Sequence, residues 1–455
     1  MSSSGSRAVP VGDAHVFHAA LRKTYPVVSH GEGIYLYDTD GHRYIDACGG
    51  AMVVNIGHGV REIADAMAAQ IGRVAFAHRG QFTNEPLGRL AALVAEMAPG
   101  DLDVFFPVSG GSEAVETAIK LAHKYHRDRG RPEKRRVVAR WQSYHGNTLG
   151  ALSATGFSAR RAQYASMLLD FPHIAPVYCY RCPFGRRYPE CEVACATDLE
   201  RVIRQEGAHT ISAFIAEPLV AAAGGAPVPP PEYFGIIRDI CTRHDILMIA
   251  DEVVTGFGRT GRAFGIQHWD VVPDLMVVAK GMSGGYAPLA GVIASRQVVE
   301  TIREASGLFS HGFTYGGNPV AATAGVAVLE YLRTHRLVER AAEMGTYLHE
   351  RLRTLAAHPL VGDVRGLGLL AGIELVRDQA TRAPFDPALA YGLAVVEEAM
   401  NRGLIVYPGS GTVDGAAGDH ILLAPPFVIT REEIDLVVRL LDETLTATEA
   451  KHLRV

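Results

Sequence analysis

The sequence LMVVAKGMSGG at residues 275–285 joins an apolar run to Lys280 and then to a glycine-rich turn. Few water molecules reach a lysine that leaves a buried strand, so the pKa of its amine falls and the neutral nucleophile becomes available. A second apolar run, at 246–250, ends in Asp251. Each residue alone is typical of an ordinary strand end. Together they predict an amine and a carboxylate at neighbouring strand ends.

Apolar, β-rich runs alternate with helical segments from about residue 104 to about residue 294. Continuous apolar strands separated by helices indicate an α/β fold whose central sheet is mostly parallel and covered on both faces. We predict a large domain with this sheet and a small α+β domain built from both termini. The predicted limits are 1–70 for the N-terminal segment, 71–330 for the large domain and 331–455 for the C-terminal small domain.

The flanking segments carry more local signals. Two apolar runs on either side of Asp40-Gly41 predict a hairpin, and apolar residues at helical spacing predict a helix near 62–71. Further elements are expected in the second half of the chain: a helix at 319–334 and strands at 369–375, 404–407 and 421–424.

Bulk composition describes an ordinary globular protein. The net charge of −5 over 455 residues gives no electrostatic reason to expect nucleic acid or an anionic membrane as a partner. No apolar stretch approaches the ~20 residues that span a bilayer, and the polar N-terminus does not resemble a signal peptide. We therefore expect a cytoplasmic protein.

Four of the six cysteines fall close together, at Cys179, Cys182, Cys191 and Cys195. The C-x2-C and C-x3-C spacings are compatible with a structural zinc ion, with two short disulfides or with unbonded thiols. A cytosolic setting disfavours standing disulfides. We predict a structural role for this segment and no catalytic metal.

A glycine turn at 109–112 follows a strand-like run and precedes a helical segment. Such a turn places free backbone N–H groups and the positive end of a helix dipole around an anion, with the Ser112 hydroxyl as a further donor. Tyr144 and His145 follow the next strand, where an aromatic ring can stack on a flat ligand or simply pack in the core. The glycine-rich loop at 311–319 offers the Thr314 hydroxyl for a phosphate or for a subunit junction.

The order of these segments resembles that of the class III aminotransferases, pyridoxal-phosphate enzymes of fold type I. The resemblance covers about residues 35–440 and rests on these motifs: SGGSEAVETAIKLA at 109–122, YHG at 144–146, EP at 217–218, DEVVTGFGRTG at 251–261, AKGMSGG at 279–285, FTYGGNP at 313–319 and VRGLGLLAGIEL at 364–375.

The resemblance implies roles for individual residues. Lys280 would hold the cofactor as an internal aldimine and move the proton, and Asp251 would keep the pyridine nitrogen protonated so that the ring acts as an electron sink. The remaining cofactor-binding assignments are Gly111 and Ser112 at the phosphate, Thr314 from the partner subunit of a homodimer, Tyr144 and Val253 on the two ring faces, and His145 and Glu217 nearby. The implied reaction is ping-pong transfer of an amino group.

The substrate pocket departs from the pattern of amine-specific members at two positions. Met52 stands where they often carry tryptophan, and Tyr407 where they often carry the arginine that binds a carboxylate. Ala222 lies in an apolar stretch where ω-amino-acid enzymes often have glutamine. These residues favour a hydrophobic amine as donor and a keto acid such as pyruvate as acceptor, as in amine:pyruvate transaminases. Arg79 or an arginine within 409–419 is then expected to bind the acceptor carboxylate, and Arg365 to be structural.

Three alternatives stay open at this point. The first is a transaminase for ω-amino acids or diamines that uses 2-oxoglutarate or pyruvate. The second is an aminomutase or racemase of the same fold. The third is a cofactor-binding regulatory domain, which would normally be fused to a DNA-binding segment for which the N-terminus offers no room.

Overall fold

The computed structural model describes residues 15–452. The β-strands lie at Val28–Glu32 (β1), Tyr35–Asp38 (β2), Arg43–Asp46 (β3), Leu102–Val108 (β4), Arg136–Arg140 (β5), His173–Ile174 (β6), Ile211–Ala216 (β7), Leu247–Asp251 (β8), Leu275–Val278 (β9), Ala290–Ser295 (β10), Val361–Leu367 (β11), Leu370–Leu375 (β12), Leu404–Ile405 (β13), Tyr407–Ser410 (β14) and Asp419–Leu423 (β15).

The α-helices, separated by turns and short 3-10 segments, lie at Gly49–Met52 (α1), Arg61–Arg73 (α2), Glu85–Met97 (α3), Gly111–Asp128 (α4), Leu149–Ala154 (α5), Ser158–Arg161 (α6), Ala194–Glu206 (α7), Tyr233–Arg243 (α8), Arg296–Ala305 (α9), Pro319–Thr334 (α10), Leu337–Leu352 (α11), Tyr391–Asn401 (α12) and Arg431–His452 (α13).

A seven-stranded sheet with the order β4-β10-β9-β8-β7-β5-β6 forms the centre of the molecule. Four of its six strand pairings are parallel, and only those of β10 with β4 and β9 are antiparallel. Successive residues of β8 enter two different hydrophobic clusters: Met248 and Ala250 join one, and Leu247 and Ile249 the other. Side chains alternate across a strand, so both faces of the sheet are buried. The predicted mostly parallel, covered sheet is confirmed.

Two smaller sheets flank the central one. Strands β1, β2 and β3 form a meander, and β13 from the C-terminal third pairs in parallel with β3 through Leu404 and Ile45. The other sheet has the order β11-β12-β15-β14 and lies entirely in the C-terminal part. Residues from both ends of the chain thus share one sheet.

Most local expectations agree with the structure. The hairpin about Asp40-Gly41 forms between β2 and β3, and the helix expected at 319–334 has those limits. The prediction of a single strand at 404–407 was wrong, because β13 and β14 are separate strands that join different sheets. The chain changes sheet at Val406, which is buried. The domain limits stay predictions.

No helix within residues 15–452 is long and apolar enough to cross a membrane.

Candidate active site

The ends of two parallel strands place Asp251 and Lys280 in one cavity. Strand β8 ends at Asp251, which lies level with Val277 of the neighbouring strand β9, and Lys280 follows β9 by two residues. Both side chains line a cavity of about 390 Å³. The carboxyl ends of adjacent parallel strands meet at one edge of a sheet, so this proximity is a direct result of the topology.

Lys280 lies in the cavity in an unusual environment for a basic group. Its Nζ donates to the carbonyl of Ala51 at 2.8 Å, and its backbone is left-handed with φ of 40°. Burial lowers the pKa of Lys280 to about 8, while the charge of Asp251 opposes the shift and that of Arg259 adds to it. A large share of this amine is therefore neutral and nucleophilic near pH 8.

Asp251 is buried and held by two donors. Its Oδ2 lies 2.6 Å from Nδ1 of His145, and its Oδ1 accepts from the N–H of Val253 at 3.1 Å. Burial alone would lower the pKa of His145, but the carboxylates of Glu217 and Asp251 raise it above the ordinary value. The raised pKa favours the protonated form of His145, whose imidazole lies between the two carboxylates.

Glu217 positions the turn that carries Tyr144 and His145. Its Oε1 accepts from the N–H of Tyr144 at 2.9 Å, and its Oε2 lies 3.7 Å from Nε2 of His145. Arg140, also buried, donates to the Glu217 backbone carbonyl and lies 3.4 Å from Oε2. The sequence indicated Glu217 but not Arg140. Nothing distinguished Arg140, because it lies at the end of an apolar strand.

The N-terminus of helix α4 opens on the same cavity. Gly111 and Ser112 begin this 18-residue helix and line the cavity, and no side chain caps its first turn. Ser112 Oγ accepts from the N–H of Asn147 at 3.1 Å, which leaves its hydroxyl hydrogen available for a ligand. Gly146 approaches so closely that a Cβ there would lie 2.3 Å from Ser112 Oγ.

These groups fit pyridoxal phosphate. A buried carboxylate, an amine of lowered pKa and an uncapped helix N-terminus are the partners of a pyridinium nitrogen, an aldehyde and a phosphate. A Cβ built on Gly110 meets no atom within 4 Å, so the space beside the helix terminus is open. Nε2 of His145 is buried and has no hydrogen-bond partner among the described residues. The half-buried side chains of Tyr144 and Val253 also line the cavity.

The residues expected to contact substrate meet at the same cavity. Met52, Ala222 and Tyr407 line it together with Tyr144. Sequence reasoning missed Arg160, which also lines it and extends into an adjoining cavity shared with Tyr407 and Ala222. No motif distinguished Arg160, because it is an exposed residue of a four-residue helix.

Three other predicted residues lie outside the cavity. Thr314 is exposed and does not line it, so its assignment to the partner subunit's site stays a prediction. Arg79 donates to the carbonyls of Pro107 and His311 and does not line the cavity either. Arg365 is buried and bonded to acidic side chains and backbone carbonyls, which is a structural environment. The expectation of an arginine within 409–419 was wrong, because that segment contains none.

The four clustered cysteines line one small cavity of their own, away from the cavity that holds Lys280. All four thiols are free. Within residues 15–452, the one group of three or more metal-ligand atoms within 4.8 Å of one another consists of Asp38, Asp40 and His42. The thiols therefore do not form a closed tetrahedral site in this conformation.

Comparison with known proteins agrees with this architecture. The family model for class III aminotransferases matches residues 17–445. The chain is 42% identical to the uncharacterized aminotransferase YodT of Bacillus subtilis over 96% of this chain and 98% of that protein. It is 37% identical to the putrescine--pyruvate aminotransferase of Pseudomonas aeruginosa over 93% and 91% of the two chains.

Among solved structures, an (S)-enantioselective omega-transaminase from Thermomicrobium roseum superposes with a TM-score of 0.89. It is 39% identical to this chain, and the match covers 95% of this chain and 96% of the other. The fold is accordingly fold type I of the pyridoxal-phosphate enzymes, as the sequence predicted. The chain belongs to the class III aminotransferases, which use pyridoxal phosphate to transfer amino groups.

Proposed function

We propose that this enzyme transfers the amino group of a hydrophobic primary amine to a keto acid such as pyruvate, by a ping-pong mechanism through Lys280. The observation that carries the proposal is the meeting of Lys280 and Asp251 in a cavity whose remaining lining is mainly apolar. The cofactor, when bound, supplies a protonated ring that takes up the electron pair left when a substrate carbon loses its proton.

Lys280 holds the cofactor and then moves the proton. An amine with a pKa of about 8 is neutral often enough to accept a proton from a substrate carbon and return it. Asp251 lines the cavity, and its carboxylate would keep the ring nitrogen of the bound cofactor protonated. His145 and Glu217 act behind it, since the imidazole of His145 lies 2.6 Å from Asp251 Oδ2 and 3.7 Å from Glu217 Oε2 and fixes the position of the Asp251 side chain.

The cofactor phosphate is assigned to the N-terminus of α4. Gly111 brings backbone close to the anion, Ser112 donates its hydroxyl, and Thr314 of the partner subunit completes the site in a homodimer. Tyr144 and Val253, which both line the cavity, would hold the ring between them. This arrangement uses the helix dipole to offset the phosphate charge.

The choice of donor follows from the side chains around the substrate. Met52 and Ala222 offer apolar surface and leave room for a bulky group, and Tyr407 lines the same cavity. The acidic residues that line the cavity are Glu217 and Asp251, and both are engaged by His145 and backbone N–H groups. No free carboxylate is left among the described lining residues for a second ammonium group, which favours a hydrophobic amine over a diamine.

A diamine or ω-amino-acid donor is the second candidate. The similarity to a putrescine--pyruvate aminotransferase supports it, because that relative matches nearly the whole chain. A cytoplasmic location stays a prediction.

The test is absorbance of the cofactor-loaded enzyme during titration with 1-phenylethylamine and then pyruvate. We expect the visible band of the lysine-bound cofactor, near ~410–420 nm, to disappear with the amine and to return with pyruvate. Putrescine and 4-aminobutyrate, tested alongside, should bleach the band much less. Bleaching by those two compounds alone would replace the hydrophobic-amine proposal with the second candidate.

A further inference from the structure

The proposed reaction needs a group that binds the carboxylate of the keto acid, and the following inference rests on that function. A carboxylate entering a largely apolar cavity loses hydration and needs a charged donor in return. Tyr407 stands where amine-specific members often carry the arginine that binds a carboxylate, and it has no positive charge. Another cation of the chain is therefore the expected partner of the carboxylate.

Two arginines close to the cavity are already engaged. Arg79 donates to the carbonyls of Pro107 and His311, at 3.3 Å each. Arg140 is buried against Glu217. Neither lines the substrate cavity.

Three further arginines serve the fold. Arg161 donates to three backbone carbonyls at 2.6 to 3.0 Å. Arg259 is buried and donates to three other carbonyls. Arg365 pairs with two carboxylates at 2.9 Å. Withdrawing any of these would leave buried acceptors without partners.

Arg160 differs from all of them. It is the arginine among the residues that line the cavity, and it also lines the adjoining cavity beyond Tyr407. Its Cζ lies 5.2 Å from the ring centre of Tyr144 and 5.6 Å from that of Phe157. Within residues 15–452, its guanidinium has ring contacts but no ion pair or side-chain hydrogen bond.

The backbone around Arg160 is fixed even though its side chain is free. Phe157, three residues earlier, is 8% exposed and accepts backbone hydrogen bonds from Arg160 and Arg161. The neighbouring Arg161 ties the segment to the end of helix α5 through its three carbonyl bonds. A planar guanidinium with unused donors, resting against an aromatic ring, is well suited to bind a carboxylate bidentately.

We propose that Arg160 binds the carboxylate of the keto-acid acceptor and thereby makes the enzyme selective for 2-oxo acids over simple aldehydes. The ring of Tyr144 contacts the guanidinium of Arg160. The residue proposed to cover the cofactor therefore also holds in place the arginine that would donate hydrogen bonds to the carboxylate. An acceptor without a carboxylate gains nothing from Arg160. Arg160 therefore contributes to the binding of the keto acid and not to the chemical step.

The experiment compares two acceptors, pyruvate and propanal, with 1-phenylethylamine as donor. R160A should raise the KM for pyruvate about 10- to 100-fold, the loss of one charged hydrogen-bonded pair, with little change in kcat. For propanal, kcat/KM should stay within about twofold. R160K should recover part of the pyruvate affinity, and R127A, at an exposed site on α4 far from the cavity, should match the unchanged enzyme.

A binding measurement separates this inference from the choice of amine. Propionate cannot accept an amino group, and its affinity for the cofactor-loaded enzyme can be followed by calorimetry with no donor present. R160A should weaken propionate binding by a factor similar to the rise in the KM for pyruvate, even if 1-phenylethylamine proves not to be a donor. Unchanged propionate binding in R160A, or an equal loss of activity with pyruvate and propanal, would overturn the assignment.

Discussion

Lys280 and Asp251 obtain their properties from where two strands end. Burial lowers the pKa of the lysine amine, and the aspartate is held by His145 and the N–H of Val253. Neither side chain is unusual by itself. Their chemistry depends on burial and on neighbouring charge, which makes it measurable one residue at a time.

The lowered pKa of Lys280 predicts that its amine becomes reactive at a lower pH than the amines of exposed lysines. In the cofactor-free protein, acetylation of Lys280 by acetic anhydride should rise with pH about a midpoint near 8, because burial lowers the pKa of its amine to about that value. Fully exposed lysines should follow a midpoint near 10.4. Peptide mass spectrometry after brief labelling measures both. A midpoint for Lys280 above 10 would show that its ammonium is fully solvated.

The negative charge of Asp251 is predicted to be essential. D251N keeps the size and shape of the side chain but removes the charge that stabilises a protonated ring nitrogen, so kcat should fall by about 10²- to 10⁴-fold. Cofactor content, measured on the same samples, separates lost chemistry from lost binding. D65N, at an exposed position of α2, is the matched control. If the kcat of D251N stayed within tenfold of that of the unchanged enzyme, a group other than Asp251 would be the partner of the ring nitrogen.

The sequence predicted those residues of the site whose positions follow directly from the ends of strands. Lys280 and Asp251 were predictable because each ends an apolar run of a parallel sheet, and the sheet brings such ends together. Arg160 was not predictable, because its place beside Tyr144 depends on how a short exposed helix packs on the cavity wall. Arg140 was hidden by its place in a buried strand.

Helix α4 is the element on which the anion site depends. Its first turn has no side-chain cap, and Gly146 lies against Ser112 with φ of 134°. Local sequence predicted the strand, the glycine turn and the helix, since each has its own pattern. The close approach of Gly146 could not be predicted, because it joins two turns separated by more than thirty residues.

G146A is predicted to damage this site without unfolding the protein. A Cβ at Gly146 would lie 2.3 Å from Ser112 Oγ, so Ser112 must turn away, and cofactor affinity should fall by about 10- to 100-fold. Fluorescence titration with pyridoxal phosphate measures the affinity. G88A, on α3 where a Cβ meets no atom within 4 Å, should bind the cofactor normally. Equal affinities in both variants would remove Ser112 from the anion site.

Strands β13 and β14 show a limit of element prediction. The apolar run at 404–407 predicts one strand, but the structure divides it between two sheets at Val406. Periodicity within a strand carries no information on which partner each residue will pair with. That choice is made by the packing of the whole C-terminal part.

Over the whole molecule, buried histidines link stability to pH. Burial lowers the pKa of His126 to about 4, with the charge of Lys134 adding to the shift, and burial lowers that of His420 to about 3. Above the unfolded-state value of 6.5 these groups are neutral in both states and have no effect. As pH falls below 6.5 the unfolded chain binds their protons first, so the folded protein loses stability.

Denaturant unfolding at pH 7.5 and pH 5 tests this linkage. The unchanged protein should lose stability at pH 5, with His126 responsible for about 2 kcal/mol. H126Q keeps a donor for the carbonyl of Ser212, which Nε2 of His126 contacts at 3.0 Å, and should reduce the loss by about that amount. H209Q, on an exposed turn, should leave the pH dependence unchanged. If H126Q lost as much stability at pH 5 as the unchanged protein, His126 would not be a source of the pH dependence.

Peptide mapping identifies the lysine that holds pyridoxal phosphate, which we assign to Lys280. Borohydride reduction makes the bond between the cofactor and its lysine permanent, after which digestion and mass spectrometry locate the modified residue. We expect a phosphopyridoxyl group on the peptide that contains Lys280, in stoichiometric amount, with none in K280A. Stoichiometric modification of a different lysine in the unchanged enzyme would contradict it.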